Sequence, residues 1–340
     1  MAKAPNTVIG LDLGRYALKS VTMQRRGPGR VAITHYASRP VPQPLETAEQ
    51  LGSEIRALLR DMGAGSKTCA VALSNPDAII RIIDQPETPK DVLRDALRLN
   101  GMTMLNQDCR EFVFDCDQLE TTEALEAGRK RYLVGGVPRA QVAQVHQALE
   151  GANASVHALQ VGAVSLFNAF EFAQPEIFAN HAFFLVDIGY STSTMILGAK
   201  RELVLVRNVD VGGHSIIEAL MALSGEPRES VLMALEQEDE LMVENVRMAL
   251  TNLTREVGSS IGFFEGRREE TIAQIFVSGG AAKSKTLIKV LGEELHMACT
   301  PWNALAGCEV AVSSHKRDSF ATDAFDLHVA CGAAAEALNS

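Results

Sequence analysis

The sequence predicts an α/β fold of two lobes that face each other across a cleft. One observation is a repeated strand–turn–strand pattern, in which an apolar run, an Asp and a Gly occur at 8–21 and again at 184–197. A second is that apolar strands alternate with helices of 3.6-residue periodicity along the chain. The third is the length of 340 residues, which is large for one hydrophobic core and suits two domains. Two copies of one unit, far apart in the chain, indicate that each lobe carries one of them.

The composition excludes several classes of protein. Hydrophobic residues make up 46% and charged residues 22%, as is ordinary for a globular protein, and the net charge of −10 argues against nucleic-acid binding. The six cysteines form no C-x-x-C motif, so we expect buried thiols in a reducing cytoplasm. The N-terminus has no apolar signal core, and no run of about 18 apolar residues occurs, so we expect a cytoplasmic protein without a membrane-spanning helix.

The first half of the chain predicts a sheet followed by an α+β insert. Strands are expected at 7–14, 17–25 and 30–41, then a helix at 46–63 with Gly63 as its C-cap, and a strand at 67–74. In the insert, strands are expected at 78–86, 110–120 and 129–138, and helices at 88–105 and 139–152. We predict Thr88 as the N-cap of the first of these helices, with Pro89 at its first position.

The second half predicts a second sheet with helices around it. A strand and helix fall within 155–172, three antiparallel strands within 181–213, and acidic helices over 213–270. A strand, a Gly-Gly turn and a helix follow over 271–296, and a helix of small residues covers 326–338. No Pro-rich or low-complexity linker separates these parts, so we expect one compact body.

The glycine-containing turns have a physical use if the ligand is a nucleoside triphosphate. Each turn taken alone is most simply explained as an ordinary turn of the backbone. The order in which these turns follow one another along the chain is a more specific indication of nucleotide binding. Backbone N–H groups in such turns can surround phosphate oxygens. Asp12 and Asp187, on facing turns, would hold Mg²⁺ through its waters, and Lys19 could reach the β- and γ-phosphates. Gly279 and Gly280, before a helix, leave room for the ribose or adenine.

In this order the motifs resemble the phosphate-1, phosphate-2 and adenosine loops of the actin-like (ribonuclease H-like) ATPase superfamily. Within it the chain is most similar to the PilM-like proteins of type IV pilus assembly, relatives of the division protein FtsA, and the resemblance covers residues 7–338. It rests on stretches such as "VIGLDLGRYALKSVTM", "VDIGYSTSTMILG" and "IFVSGGAAKSKTLIKVLGEEL". The insert at 77–152 stands where PilM-like and FtsA-like proteins have an extra subdomain, which distinguishes the chain from actin and the sugar kinases.

The resemblance implies a division into four parts. They are a first lobe of 7–76 with 153–180 and 321–340, an inserted subdomain at 77–152, a second lobe of 181–212 with 271–320, and a helical subdomain at 213–270.

The resemblance also implies ATP or ADP with Mg²⁺ as the ligand. The residues implied to bind it are Asp12, Leu13, Gly14, Arg15, Lys19, Asp187, Gly189, Tyr190, Ser191, Thr192, Gly212, Gly213, Glu218, Gly279, Gly280 and Lys283, with Asp12 and Asp187 also holding the metal through water.

Several positions depart from the family pattern. Arg15 and Tyr190 stand where small residues are usual, and Ile217 stands where the family tends to have Thr. Hydrolysis needs a polar group that orients the attacking water. Gln160 is the nearest candidate for that role, although the register falls more naturally on Val161. We therefore expect nucleotide binding with slow hydrolysis or none.

The function implied by the resemblance is a cytoplasmic assembly platform of a type IV pilus or a related type II secretion system. The expected partner is the N-terminal cytoplasmic tail of a PilN-like inner-membrane protein, held in the groove between the first lobe and the insert. Self-association stays open. The alternatives are an FtsA-like filament protein, a scaffold that has lost its nucleotide, and a phosphotransferase such as a sugar kinase. The chain's ending at "EALNS" argues against an FtsA-like filament protein. For a phosphotransferase we find no acidic residue that could act as the catalytic base.

Overall fold

The computed structural model describes residues 5–41, 44–75, 77–121, 123, 125–268 and 270–339. Parts of the predicted subdomain ranges, at residues 42, 43, 76, 122, 124, 269 and 340, lie outside the described residues. Among the helices in the described ranges, none combines the length and the apolar character that a membrane span requires.

The strands and helices alternate as the sequence predicts. The strands are β1 (Thr7–Leu13), β2 (Ala17–Gly27), β3 (Arg30–Pro40), β4 (Thr68–Leu73), β5 (Ile79–Pro86), β6 (Phe112–Leu119), β7 (Arg129–Pro138), β8 (Ser155–Val161), β9 (Ala182–Ile188), β10 (Ser193–Ala199), β11 (Glu202–Val209), β12 (Gln274–Gly279), β13 (Ala298–Pro301) and β14 (Glu309–Val310). The helices are α1 (Ala48–Met62), α2 (Lys90–Leu99), α3 (Gly101–Leu105), α4 (Arg139–Gly151), α5 (Gly162–Ala173), α6 (Pro175–Asn180), α7 (Gly213–Ser224), α8 (Arg228–Glu236), α9 (Val243–Glu265), α10 (Lys285–Leu295), α11 (Ser314–Asp323) and α12 (His328–Asn339). Short 3-10 turns lie at Glu240–Met242, Gly280–Lys283 and Ala324–Asp326.

The repeated motif forms the centre of two separate sheets. The first sheet has the order β14-β3-β2-β1-β4-β8, and the second has the order β11-β10-β9-β12-β13. In each sheet the motif strand pairs antiparallel with the next strand of its hairpin and parallel with a later one, β1 with β2 and β4, and β9 with β10 and β12. The duplicated strand–turn–strand unit predicted from the sequence is therefore confirmed. It places Asp12 and Asp187 at the equivalent ends of two equivalent strands.

Helix α12 packs directly against the first sheet and against α5. A Cβ atom on Gly10 would lie 1.8 Å from the backbone oxygen of Ala330, and one on Gly332 would lie 1.7 Å from the backbone oxygen of Ser165. Such contacts leave no room for side chains, which explains why the last helix is composed of small residues. The core around α5 and α12 contains residues of both sheets, including Val8 and Phe183.

The insert is built on a three-stranded sheet of order β5-β7-β6 with its own core, which includes Ile79, Leu97 and Phe114. The prediction of Thr88 as a helix N-cap is wrong. Its hydroxyl donates to the backbone oxygen of Pro86 at 2.7 Å, so it is not directed at the helix, and Pro89 itself is the N-cap. The predicted helix also breaks into α2 and α3, because Asn100 between them has a non-helical φ of −115°.

Helix α4, at the end of the predicted insert range, packs on the first lobe. A Cβ atom on Gly52 of α1 would lie 2.8 Å from the backbone oxygen of Ala148, and Leu149 shares a core with Ile55 and Leu58. The four subdomain boundaries stay predictions. Gly63 ends α1 with a left-handed φ of 72°, as the sequence predicts.

Candidate functional site

A cavity of about 730 Å³ lies between the two hairpins. It is lined by Asp12, Gly14, Arg15, Lys19, Asp187, Gly189, Tyr190, Ser191, Thr192, Gly213, Gly279, Gly280 and Lys283 from the set predicted for nucleotide binding, and by Ile217. The predicted residues Leu13, Gly212 and Glu218 are not part of its lining. The volume is in the range of sites for drug-sized ligands, about 300–1,000 Å³. The turns that are far apart in the sequence thus meet around one space.

The two carboxylates are held in the same way. Ser74, which follows β4, donates its hydroxyl to Asp12 Oδ1 at 3.2 Å, and Ser278 of β12 donates to Asp187 Oδ1 at 2.7 Å. In both sheets the serine comes from the parallel neighbour of the motif strand. Sequence reasoning missed both serines, although each stands at the end of an apolar strand, in "VALS" and "IFVS". Each carboxylate therefore has one fixed oxygen and a defined orientation.

Asp12 is a buried carboxyl with a perturbed pKa. It is 5% exposed, and burial raises its pKa above the ordinary value of 3.8. The nearby Asp187 also raises the pKa, whereas Lys19 and the Ser74 hydroxyl lower it. Lys19 lies opposite Asp12 in the β1–β2 ladder, with Nζ 3.9 Å from Asp12 Oδ2. Two carboxylates close to each other with one partial counter-ion favour a bound cation.

The donor set fits Mg²⁺ held mainly by water and ligand oxygens. Among the described residues no group of three or more His, Cys, Asp or Glu side chains could hold a metal ion. Mg²⁺ is commonly bound through one or two carboxylates together with waters and phosphates, without a complete protein cage. Asp12 and Asp187 supply that number of carboxylates.

The facing turns offer backbone donors. Within the described part of the chain, no backbone oxygen accepts from the N–H groups of Arg15 and Tyr16 in the first turn or of residues 190–192 in the second. The N–H groups of Gly189 and Gly213, in contrast, donate to Thr192 and Gly189 at 3.1 and 2.8 Å, so they fix the shape of the second turn. Successive N–H groups without protein acceptors form a site for anions.

The glycine pair after β12 opens the floor of the cavity. Gly279 has a φ of +83°, and a Cβ atom there would lie 2.3 Å from the backbone oxygen of Ile188, so both conformation and space require glycine. A Cβ atom on Gly280 would meet nothing within 4 Å, and Gly280 lines the cavity. A side chain at 280 would occupy space that a ligand can use.

Three aromatic rings stack across the cavity, one from each turn and one from a helix. The ring centroids of Tyr16 and Tyr190 are 4.4 Å apart with an interplanar angle of 9°, and those of Tyr190 and His214 are 5.0 Å apart at 17°. Sequence reasoning singled out Tyr190 and missed the other two. No local pattern identifies the stack, because its members come from separate elements.

His328, the first residue of α12, also lines the cavity. It is 2% exposed, with Nε2 2.8 Å from the backbone oxygen of Trp302 and Nδ1 3.0 Å from that of Phe325. Burial lowers its pKa below the ordinary value of 6.5, against the opposing influence of Asp187 and of the two carbonyl groups. The eight histidines share no spacing, so no sequence pattern distinguishes this one from the others.

The remaining predicted residues lie at the edges of the site. Gln160 accepts a hydrogen bond from the Ser165 hydroxyl at 2.9 Å and is not part of the lining, whereas Val161 is. A carboxyl oxygen of Glu218 lies 4.0 Å from both His214 Nδ1 and Arg228 Nη1. Gln160 as a water-orienting group and Glu218 as a ligand contact stay predictions.

Comparison with known protein families gives one match over nearly the whole chain. The family described as type IV pilus assembly protein PilM matches residues 10–338. A comparison with curated proteins found no match.

Comparison with solved structures identifies the fold. A structure described as the PilM-PilN type IV pilus biogenesis complex is 24% identical, with a TM-score of 0.82 over 99% of each chain. The ethanolamine utilization protein EutJ from Carboxydothermus hydrogenoformans is 12% identical, with a TM-score of 0.57 over 100% of this chain and 92% of the other. A protein with actin-like ATPase fold and unknown function from Bacteroides thetaiotaomicron is 7% identical, with a TM-score of 0.51 over 97% and 96%. The predicted actin-like fold is confirmed.

Proposed function

The chain belongs to the PilM family of type IV pilus assembly proteins, and from this premise we propose that it is an assembly scaffold whose central cleft binds Mg·ATP or Mg·ADP. The observation that supports the ligand best is the pair of equivalent hairpins, which bring Asp12 and Asp187 and two sets of N–H groups to one cavity. We further propose that the protein binds the cytoplasmic tail of a PilN-like inner-membrane protein.

Each part of the ligand has a place in this proposal. The N–H groups of the two turns and the ammonium of Lys19 bind phosphate oxygens. Asp12 and Asp187 hold Mg²⁺ through its waters, and the ion neutralises phosphate charge. The open space beside Gly280 takes the ribose or the base. Because the two hairpins belong to separate sheets, each lobe supplies one carboxylate and one turn.

The cleft is better suited to holding a nucleotide than to hydrolysing it. Val161 and Ile217, both apolar, line the cavity at positions where a polar group would be needed to orient water or to bond the nucleotide. Gln160, the polar neighbour of Val161, is engaged by Ser165. We therefore expect the nucleotide to act as a structural ligand with little turnover.

The proposed partner binds beside the insert. The neighbour of highest similarity named above is a complex of PilM with PilN, and this chain matches its structure over 99% of its length. We propose that an extended tail of a PilN-like protein docks in the groove between the first lobe and the insert, as extended segments dock beside sheets and pockets. The scaffold is then held at the cytoplasmic side of the inner membrane through that partner.

Calorimetric titration with Mg·ATP tests the nucleotide proposal, with phosphate release followed in parallel. We expect saturable binding, little phosphate release, and binding that is about 10- to 100-fold weaker in Asp12→Asn. Asp91→Asn is the matched control, because Asp91 is an exposed carboxylate of α2. Absence of binding in the unchanged protein would overturn the nucleotide proposal.

The partner proposal needs a separate titration. A synthetic peptide of the PilN-like N-terminal tail is titrated into the full chain, with and without Mg·ATP. A ligand can shift partner affinity only by its different affinities for the two states of the protein. We expect the peptide affinity to change when Mg·ATP is present, and equal affinities would overturn the coupling between the two sites.

A further inference from the structure

The Tyr16–Tyr190 stack connects two sheets that share no strand. Tyr16 lies in the turn between β1 and β2 of the first sheet, and Tyr190 lies in the turn between β9 and β10 of the second. Their rings are nearly parallel at 9°, with centroids 4.4 Å apart. Since both residues line the cavity, the stack crosses the cleft at the two turns that would bind phosphate.

Both rings are carried by turns with fixed backbones. The backbone oxygen of Tyr16 accepts from the N–H of Val41 at 2.7 Å, and that of Tyr190 accepts from the N–H of His214 at 2.9 Å. A Cβ atom on Gly212 would lie 2.4 Å from the Tyr190 oxygen, so the start of α7 is packed against the second turn. The His214 ring also stacks on Tyr190, with ring centroids 5.0 Å apart. A change in the spacing of the turns therefore separates the tyrosine rings.

We propose that Tyr16 and Tyr190 form a clasp that fixes the spacing of the two phosphate-facing turns and sets the rate at which a nucleoside di- or triphosphate leaves the cleft. The clasp rests on the proposed nucleotide-binding function. A ligand held between the turns leaves when they separate, and the stack must break for that to happen. The two tyrosines are positioning residues, because they act through the turns. Tyr16 and Tyr190 are 49% and 38% exposed, so their removal opens no core.

Release of a fluorescent Mg·ATP analogue, chased by unlabelled Mg·ATP in a stopped-flow instrument, measures this role. We expect Tyr16→Ala and Tyr190→Ala to release the analogue about two- to tenfold faster. This is the fold-change that corresponds to the loss of the interaction between two stacked aromatic rings. The double variant should be no faster than either single variant, because both remove the same contact. Tyr16→Phe should restore the wild-type rate, since the ring suffices for stacking. Association rates should change less than release rates.

Covalent closure of the clasp tests the same proposal without a substitution. Photo-oxidation with persulfate joins adjacent tyrosines, and the other two of the four tyrosines, Tyr36 and Tyr132, are buried at 4% and 2% exposure. We expect peptide mass spectrometry to find the 16–190 cross-link, and the cross-linked protein to release nucleotide several-fold more slowly.

The outcomes separate the two proposals. If the unchanged protein binds no Mg·ATP analogue, the nucleotide-binding function fails and the clasp falls with it. If the analogue binds, but dissociates from the alanine variants and from the cross-linked protein at the wild-type rate, the clasp alone is wrong. Faster release from the alanine variants with wild-type release from Tyr16→Phe supports it.

Discussion

Asp12 shows at the scale of one residue how the site and the stability of the fold oppose each other. Burial raises its pKa above the ordinary 3.8, so the protonated form is favoured in the folded state. The stabilisation from that proton is present at low pH and is lost as the pH rises through the raised pKa. At neutral pH the ionised carboxylate therefore costs stability, which a bound cation would offset.

The substitution Asp12→Asn should separate these two effects. We expect the free protein to melt at a higher temperature than wild type at pH 7, because a buried charge is removed. Affinity for Mg·ATP should fall about 10- to 100-fold, as when an outer-shell metal partner is lost. Thermal melts with and without Mg·ATP measure both, and Asp91→Asn should match wild type. A lower melting temperature for Asp12→Asn would mean that the Lys19 pair outweighs burial.

For His328 the expected dependence of stability on pH has the opposite sign to that for Asp12. Burial lowers its pKa below 6.5, so the unfolded chain takes up the proton first as the pH falls. We expect stability to decline from about pH 6.5 downwards, by at most about 1.4 kcal/mol per pH unit for one proton. His328→Gln should reduce that slope, as urea unfolding between pH 5 and 7.5 would measure. An unchanged slope would show that the two carbonyls near its ring nitrogens keep the imidazolium in the folded state.

At the scale of elements, the sequence pattern predicts those strands, turns and helices that are determined by interactions between residues near each other in the chain. The β1–β2 and β9–β10 hairpins and the capped helix α1 were predictable, because apolar periodicity and glycine turns determine them. Ser74, Ser278 and Tyr16 were not, since their partners come from other elements and depend on the three-dimensional arrangement. The break at Asn100 was missed for a related reason. Gly101 after it packs against Cys109, where a Cβ atom would lie 2.5 Å from Sγ.

The close packing of α12 gives a prediction with an internal control. In Gly332→Ala the new Cβ would lie 1.7 Å from the Ser165 backbone oxygen, so α12 must move away from α5. We expect a loss of about 1–3 kcal/mol or more in the free energy of unfolding, as for other overpacked cores. Gly258→Ala in α9 meets nothing within 4 Å and should stabilise by about 0.5–1 kcal/mol. Urea unfolding of both variants checks the opposite signs, and equal effects would contradict the packing argument.

At the scale of the whole molecule, an ion cluster joins the insert to the second sheet. Arg131 of β7 lies 2.8 Å from both Asp84 of β5 and Glu123, and 3.3 Å from Glu202 of β11. Arg268, after α9, lies 2.8 Å from Glu123 and 2.9 Å from Glu202. The side chains of Glu202, Arg268 and Arg131 are 3%, 8% and 12% exposed. The cluster thus connects the proposed partner-binding part of the protein to the lobe that carries Asp187.

Arg131→Met should therefore have both a local and a distant effect. It leaves the buried Glu202 paired with Arg268 alone, so we expect a loss smaller than the about 3–5 kcal/mol of a buried charge without any partner, but larger than that of an exposed pair. The control is Arg98→Met, which removes the exposed pair with Asp95 and should cost less than about 1 kcal/mol. Denaturant unfolding measures both values.

Since the cluster is a physical connection between the insert and the second lobe, we also expect Mg·ATP to change the tail-peptide affinity of Arg131→Met less than that of Arg98→Met. A wild-type response in Arg131→Met would show that the nucleotide influences the insert through the hinge of the two lobes alone.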